Sequence, residues 1–175
     1  MMKGEEAMKI VIVSDTHMPR MAKSLPAALV QQLEGADLIL HAGDWTTLLV
    51  YHELARYAPV KGVAGNNDGE ALVAKFGLKR IVNAGGKRFG LVHGHGPVRS
   101  RTALQTALAA FDGEQVDAVI FGHSHVPYMK RHEGVLLFNP GSPTAKRKQP
   151  LYSFGVWQLN GGELRARHVF FADKS

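Results

Sequence analysis

Hydrophobic positions along the first half of the chain occur in short runs that predict strands and helices in alternation. Met8–Val13 is a predominantly apolar run, which predicts a buried strand. Ser24–Gly35 predicts a helix, with Ser24 as its N-cap, Pro26 in its first turn and leucines recurring along one face. The alternation continues with a strand over Asp37–His41, a helix over Thr47–Tyr57, a strand over Pro59–Ala64 and a helix over Gly69–Phe76.

The pattern changes in the second half, where pairs of strand candidates flank glycine-containing turns. Lys79–Ala84 and Lys87–Val92 surround two glycines, which is a hairpin signal. Two further pairs have the same pattern: Val126–Arg131 with Val135–Phe138, and Leu151–Leu159 with Glu163–Phe171. Between the first and second pairs, a predicted helix over Thr102–Phe111 precedes a predicted strand over Asp117–Phe121. These pairs predict a largely antiparallel second half. The whole mixture indicates an α/β (α+β) fold in which two sheets pack together with helices outside.

Length and composition restrict the class of protein. The chain has 175 residues, of which 45% are hydrophobic, so a single domain over residues 1–175 can bury a substantial core. Its apolar runs are far shorter than the roughly 20 residues that cross a bilayer, and its first residues, MMKGEEAMKI, lack the apolar centre of a signal peptide. We therefore expect no membrane association and a cytoplasmic location.

The net charge of +6 raises the question of nucleic-acid binding. Basic residues occur in four small groups: Lys79–Arg80, Lys87–Arg88, Arg99 with Arg101, and Lys146–Lys148. No group is long and none is interleaved with aromatic residues. Scattered solvated charges that mildly favour anionic substrates explain these groups better than a dedicated nucleic-acid surface, although nucleic acid stays open as a partner.

Polar side chains with metal-binding chemistry follow five predicted strands, each shortly after the last apolar residues. They are Asp15 and His17 in SDTH, Asp44 in HAGD, Asn66 in GNND, His93 in HGH, and His123 and His125 in GHSH. Open α/β sheets place ligand sites at the carboxyl ends of their strands, so these loops are expected to converge at one rim. Each motif alone is weak evidence, whereas five of them at strand ends predict a metal centre.

The residue types suit two divalent cations. A carboxylate between the ions offsets their mutual repulsion, and Asp44 is the candidate bridge. Asp15 and His17, two residues apart where a strand ends, can bind the first ion together, and His125 returns to it. The second ion would take Asp44, Asn66, His93 and His123. Because the chain has no cysteine, the donors are nitrogen and oxygen, which suits Mn, Fe, Co, Ni or Zn, with Mn favoured.

Several residues near these motifs allow two interpretations. His41 and His95 are either structural or groups that support the ligands or contact substrate. Trp45 either walls the site or packs in the core, and packing is favoured. Asn139–Ser142, the NPGS segment, is expected to form a turn behind the site. The remaining histidines have no metal-binding companion in sequence and are expected at the surface: His52, His132 and His168.

These motifs, in this order, resemble the calcineurin-like metallophosphoesterase superfamily, and more closely its small YfcE-like phosphodiesterase branch. The resemblance covers nearly the whole chain through SDTH, HAGD, GNND, HGHG, GHSH and NPGS. It implies a four-layer α/β/β/α sandwich of two mixed sheets flanked by helices. It also implies a dinuclear centre with the first metal on Asp15, His17, Asp44 and His125 and the second on Asp44, Asn66, His93 and His123.

The resemblance further implies hydrolysis of a small phosphodiester or nucleotide-type substrate by a hydroxide that two metal ions activate. Asn66 and His95 are the candidate catalytic residues. Many members of the superfamily have, where this chain has Asn67, a histidine that can protonate the leaving oxygen, although the YfcE-like branch commonly lacks it; His95 is the candidate substitute. Two alternatives stay open: a non-catalytic protein-binding scaffold like the retromer subunit that resembles this branch, and a nuclease or nucleotide phosphatase with the same site. The intact ligand set favours an enzyme, either as a monomer or as an oligomer.

A basic run, Lys146–Lys148, follows the NPGS segment closely. We hypothesise that Lys146, Arg147 and Lys148 reach the mouth of the site, where positive charge would attract polyanionic substrates. A solvated loop without substrate contact is the alternative.

Overall fold

Ten strands and four helices make up the part of the chain that the computed structural model describes, residues 7–175. In chain order they are β1 (Met8–Val13), α1 (Ala27–Leu33), β2 (Leu38–His41), α2 (Leu48–Ala55), β3 (Val60–Gly62), α3 (Glu70–Phe76), β4 (Lys79–Ala84), β5 (Lys87–Val92), α4 (Ala103–Ala110), β6 (Ala118–Ile120), β7 (Tyr128–His132), β8 (Val135–Asn139), β9 (Tyr152–Asn160) and β10 (Glu163–Phe171). The predicted alternation of strands and helices in the first half is confirmed.

The strands form two five-stranded mixed sheets. The first has the order β10-β9-β1-β2-β3, in which β1, β2 and β3 are parallel and β9 is antiparallel to β1. The second has the order β4-β5-β6-β8-β7, with a parallel centre of β5, β6 and β8 and antiparallel edges. The prediction of a largely antiparallel second half is wrong at this centre. Helix α4 connects β5 to β6 and supplies the long crossover that parallel neighbours require.

The two sheets face each other across a shared apolar layer. Phe89 and Phe138 contact the ring of Trp157 edge to face, each with 5.2 Å between ring centroids. Helices α1, α2 and α3 cover the outer face of the first sheet, with Leu29 among the fully buried contacts. Helix α4 covers the second sheet through Ala107 and its neighbours. This arrangement confirms the expected four-layer α/β/β/α sandwich.

Proline sets two element boundaries differently from the prediction. Helix α1 begins at Ala27, and no side chain caps it, so the assignment of Ser24 as N-cap is wrong. Pro26 has ψ 142°, an extended conformation that delays the first helical turn, while Ser24 is exposed. Strand β7 begins at Tyr128 rather than at Val126, because Pro127 has no N–H to donate to a neighbouring strand.

The longest helices, α2 and α4, have eight residues each. Within residues 7–175, no helix has the length and apolar character that crossing a membrane would require. Residues 1–6, on which the expectation of no signal peptide partly rests, lie outside the described part of the chain.

Candidate metal centre

The loops that follow β1, β2, β3, β5 and β6 meet at one rim of the sandwich, as predicted. Backbone hydrogen bonds join them: the His17 N–H donates to the Asp44 carbonyl at 3.1 Å, and the Gly122 N–H donates to the His93 carbonyl at 2.9 Å. The loops approach so closely that a Cβ atom on Gly65 would lie 2.2 Å from Asp44 Oδ1. Polar residues from five strand ends therefore share one site.

Asp15 lies at the centre of this site. Its Oδ1 atom is 3.7 Å from Nε2 of His17, 3.6 Å from Nε2 of His93 and 3.3 Å from Nε2 of His125. Asp44 Oδ2 lies 3.5 Å from His17 Nε2 and 3.2 Å from His93 Nε2. These atoms form two groups that can each hold a metal ion, Asp15–His17–His125 and Asp15–Asp44–His93.

Four donor atoms of the two groups lack hydrogen-bond partners among residues 7–175, whereas the Asp44 carboxylate accepts from Asn67. Within residues 7–175, Asp15 Oδ1 and the Nε2 atoms of His17, His93 and His125 are buried and accept or donate no hydrogen bond. Leaving such atoms unpaired is costly, so native proteins rarely do it without a water or an ion at the site. Four unpaired atoms converging on one point therefore fit a bound divalent cation, and their nitrogen and oxygen chemistry fits a transition metal.

Two of the imidazoles are oriented from behind by backbone carbonyls. His93 Nδ1 lies 2.8 Å from the Ala42 carbonyl, and His125 Nδ1 is hydrogen-bonded to the Ala145 carbonyl. A carbonyl only accepts, so each Nδ1 carries the proton and each Nε2 faces the site. This support is the usual one for metal-binding histidines, since it selects the tautomer and the ring orientation.

Burial and the imidazoles act in opposite directions on the two carboxylates. Burial alone would raise the pKa of Asp15, but His125 and His17 outweigh it and hold that pKa well below its usual range. Burial opposes ionisation of Asp44 as well, yet His93 lowers its pKa to about 2. The pKa of His93 is raised, because the two carboxylates outweigh its burial. Without a metal, the raised pKa of His93 favours an imidazolium beside the two carboxylates, and a bound cation would compete with that proton.

The position of Asp15 suits a bridging role that the sequence did not predict. Asp44 Oδ2 lies between His17 and His93, the position that a bridging carboxylate needs, although bridging itself stays a prediction. Asp15 belongs to both groups and is therefore a second candidate bridge. Sequence alone assigned Asp15 to one ion, because spacing within SDTH carries no information about its approach to His93.

Asn66 and His123 meet on the exposed side of the site. Asn66 Oδ1 lies 3.1 Å from His123 Nδ1, and the His123 ring centroid is 5.1 Å from that of His93. Neither residue belongs to the two buried groups, so their ligand roles stay predictions. Asn67 is the asparagine that contacts Asp44: its backbone N–H donates to Oδ1 at 2.9 Å and its Nδ2 to Oδ2 at 2.8 Å.

Five of the seven predicted ligands have a left-handed backbone. The φ angles are 56° at Asp15, 42° at His17, 59° at Asp44, 70° at His123 and 61° at His125. This conformation is uncommon for residues other than glycine and is found where the surrounding structure imposes it, often at functional sites. The chain therefore turns at both Asp15 and His17, and this turn, rather than a continued strand, brings the two side chains to one ion site.

Asp68, the last residue of GNND, is a supporting residue that sequence reasoning missed. Its carboxylate accepts hydrogen bonds from the backbone N–H groups of Asp44 at 2.9 Å, Thr46 at 2.8 Å and Gly65 at 2.7 Å. Burial, the largest influence, raises its pKa. Asp68 thus ties the loop after β2 to the loop after β3. Its position two residues after Asn66, a predicted ligand, was the sequence feature that could have identified it.

The NPGS segment forms a turn behind the site, as expected. Asn139 Nδ2 donates to the Gly122 carbonyl at 3.1 Å, directly before His123. Ser142 Oγ donates to the Asp15 carbonyl at 2.8 Å. The segment therefore positions two of the ligand loops rather than facing the site itself.

His41 and Trp45 have structural roles. His41 Nδ1 accepts from the Gly43 N–H at 3.0 Å, so Nε2 carries the proton and donates to Thr16 Oγ1 at 3.1 Å. The ring stacks on Trp45 at 3.8 Å between centroids, and burial lowers the pKa of His41 to about 3. Trp45 is fully buried and also stacks on Phe76, which confirms the packing interpretation.

The other histidines differ from one another in surroundings. His52 and His132 are exposed, as expected. The surface assignment of His168 is wrong, because its ring is half-buried and stacks on Phe138 at 4.4 Å. His95 lies beside the centre, 5.5 Å from the His93 ring, and its buried Nδ1 has no partner among residues 7–175.

A cavity of about 390 Å³ opens beside the centre, and His17 and His125 form part of its wall. Arg20 and Arg147 line it as well. Of the basic run, only Arg147 reaches this cavity. Lys148 is exposed, and the Lys146 ammonium lies over the Tyr152 ring, 5.7 Å from its centroid. Of the three basic residues that we expected at the mouth of the site, Arg147 is therefore the one that lies there.

Comparisons with known proteins agree on the family. Residues 8–162 match the model of the calcineurin-like phosphoesterase superfamily domain. A probable metallophosphoesterase from Methanothermobacter thermautotrophicus is 37% identical over 93% of this chain and 92% of its own length. A phosphodiesterase from Methanocaldococcus jannaschii is 31% identical over 77% of this chain and 83% of its own. Among solved structures, a Vps29 single mutant from Entamoeba histolytica aligns with a TM-score of 0.71 and 25% identity over 94% of this chain and 99% of its own. The chain belongs to the calcineurin-like phosphoesterase superfamily.

Proposed function

We propose that the protein is a metal-dependent phosphodiesterase with a dinuclear centre. The observation that carries this proposal is the convergence of four buried, unpaired donor atoms, Asp15 Oδ1 and three imidazole Nε2 atoms, at the end of parallel strands. The imidazole nitrogens lie 3.3–3.7 Å from Asp15 Oδ1, farther than the hydrogen bonds with which a purely structural cluster would satisfy such atoms. The proposed ligands are Asp15, His17, Asp44, Asn66, His93, His123 and His125.

Divalent ions bound here would activate water for attack and neutralise the charge that develops on the phosphoryl oxygens. The chain itself supplies the orientation. The Ala42 and Ala145 carbonyls hold His93 and His125 with Nε2 toward the centre. Asp44 is held by Asn67 through two hydrogen bonds. The proposed donors are imidazole nitrogens and carboxylate or amide oxygens without sulfur, which suits Mn, Fe, Co, Ni or Zn, and Mn is the first metal to test.

Two features support a phosphodiester as the substrate. A relative that is 31% identical is named a phosphodiesterase. The cavity beside the centre also leaves room for a second ester substituent, which a monoester lacks. His95 is the candidate contact for the leaving oxygen, since its ring centroid is 6.4 Å from that of His123 and its Nδ1 has no partner within residues 7–175.

The test is metal-dependent turnover by protein that has been stripped with a chelator. We expect hydrolysis of bis(4-nitrophenyl) phosphate after addition of Mn²⁺, faster than hydrolysis of 4-nitrophenyl phosphate, and none without metal. Asp44→Ala and His123→Ala should each abolish it. Full metal-dependent activity in either variant would disprove the site assignment.

A non-catalytic binding scaffold is the second candidate, favoured by the structural similarity to Vps29. The two candidates differ in whether the metal-loaded protein hydrolyses phosphate esters. A scaffold needs no turnover, so a protein that binds metal but hydrolyses neither diesters, monoesters, nucleotides nor oligonucleotides would support it. Selective cleavage of oligonucleotides would support the nuclease alternative, which uses the same site.

A further inference from the structure

The cavity beside the metal centre is lined by cations on one side. Arg20 and Arg147 come from loops that are far apart in the chain, yet both line the cavity whose wall includes His17 and His125. No Asp or Glu is among its lining residues. In the described chain, neither guanidinium forms an ion pair, and the contact of Arg147 is a hydrogen bond from Nη1 to the His123 carbonyl at 3.5 Å. Two arginines thus face a cavity with no protein anion to balance them.

A second cavity borders the centre at His93 and has a different lining. His93 and His95 form its inner wall, and the rest of the lining includes Leu78, Val92 and Pro97. No Lys, Arg, Asp or Glu lines it. The metal centre therefore borders one cavity that contains two arginines and a second, largely apolar cavity whose lining has no Lys, Arg, Asp or Glu. A phosphodiester has two substituents, one for each cavity.

We infer that Arg20 and Arg147 bind an anionic group on one substituent of the substrate, and that the other substituent is uncharged. This inference rests on the proposed function and names its substrate class. Guanidinium groups suit carboxylate and phosphate because their donors form a planar fork. A phosphodiester whose one arm carries a second carboxylate or phosphate would satisfy both cavities at once.

The expected discrimination is moderate, because both arginines are exposed. An exposed charge pair contributes up to about a fivefold change in an equilibrium constant. Two arginines together therefore predict a preference of up to roughly 25-fold for the anionic arm. The preference should shrink at 1 M salt, where the Debye length falls to about 3 Å.

The test uses three 4-nitrophenyl phosphodiesters with the same leaving group, whose second arm ends in a carboxylate, a neutral amide or a quaternary ammonium. We compare kcat/KM for the Mn²⁺-loaded parent, Arg20→Met, Arg147→Met and Lys148→Met. Lys148 is the matched control, since it carries the same charge on the same loop but does not line the cavity.

The parent is expected to prefer the carboxylate arm over the amide arm, and the ammonium arm is expected to be worst. Each arginine variant should reduce the carboxylate-to-amide ratio about fivefold, whereas Lys148→Met should keep it. Equal kcat/KM for the three arms, or a ratio that changes as much in Lys148→Met as in Arg147→Met, would overturn the inference and leave the phosphodiesterase standing. No turnover of any ester would overturn both.

Discussion

The buried and the exposed sides of the metal centre are built in different ways. On the buried side, His93 and His125 are fixed from behind by backbone carbonyls and face Asp15. On the exposed side, Asn66 Oδ1 and His123 Nδ1 contact each other at 3.1 Å. Burial removes competing water from the first set, whereas solvent reaches the second.

This difference predicts two metal affinities rather than one. The buried donors are already oriented, so a cation meets them with little loss of side-chain freedom. The exposed donors have to be ordered when an ion arrives. We therefore expect a tight first ion at the buried groups and a weaker second ion that recruits Asn66 and His123.

Asp15→Asn should have the largest effect, because Asp15 belongs to both buried groups. Replacing outer-shell partners of a metal site typically costs 10- to 100-fold, so loss of a shared direct ligand should cost more than about 100-fold in turnover and in metal affinity. Turnover and metal content by mass spectrometry measure it. Asp112→Asn, at an exposed position, is the control. Parental metal content in Asp15→Asn would contradict the central role of Asp15.

His125→Ala and His123→Ala compare the two sides directly. His125→Ala should lose the tight ion and all activity, whereas His123→Ala should keep one equivalent of metal and lose the second. The reason is that His125 belongs to a buried group and His123 does not. Metal content after gel filtration in metal-free buffer distinguishes them. Loss of both ions in each variant would show that the two sides bind metal as one unit.

Asn67→His should change the response to the leaving group. Asn67 donates to Asp44 and has no proton to release at neutral pH, so turnover of the parent should fall steeply as the leaving-group pKa rises. General acid catalysis is worth 10² to 10⁴ in rate, and a histidine here should recover roughly tenfold for poor leaving groups. A series of aryl and alkyl diesters gives the slope. A flat slope in the parent that His95→Ala makes steep would assign the role to His95 instead.

The convergence of the loops after the strands, and the two packed sheets with helices outside, were predictable because they depend on local pattern. Apolar runs such as Met8–Val13 mark buried strands, and polar residues directly after them lie at the strand ends. The parallel centre of the second sheet could not be predicted in this way, because the pairing of its strands depends on the path of the connections between them.

Contacts between distant loops could not be predicted in the same way. Arg20 and Arg147 line one cavity although more than a hundred residues separate them, and nothing in their local sequences links them. The Asp68 carboxylate accepts a hydrogen bond from the backbone N–H of Asp44. Because almost every residue has such an N–H group, the sequence does not reveal this contact. Ser24 resembles an N-cap locally, but packing of Leu25 and Pro26 sets the helix start later.

His41 gives the smallest effect and lies behind the buried side. Its folded pKa of about 3 is below the value of about 6.5 expected in the unfolded chain, because burial disfavours the charged ring. The unfolded chain therefore binds a proton near pH 6 that the folded protein does not, and the free energy of unfolding falls as pH drops from about 6.5 toward 3. One such group contributes a slope of about 1.4 kcal/mol per pH unit in that window.

His41→Gln should remove that contribution while keeping a group that can donate to Thr16. Urea unfolding of metal-free protein at pH 7.5, 6.5, 5.5 and 5.0 gives the slopes for the parent and the variant. The other buried histidines are common to both proteins, so the difference between the slopes isolates His41. The exposed His52→Gln is the control and should keep the parental slope. Equal slopes for His41→Gln and the parent would mean that His41 takes up its proton in the folded state, and that the stack on Trp45 tolerates a charged ring.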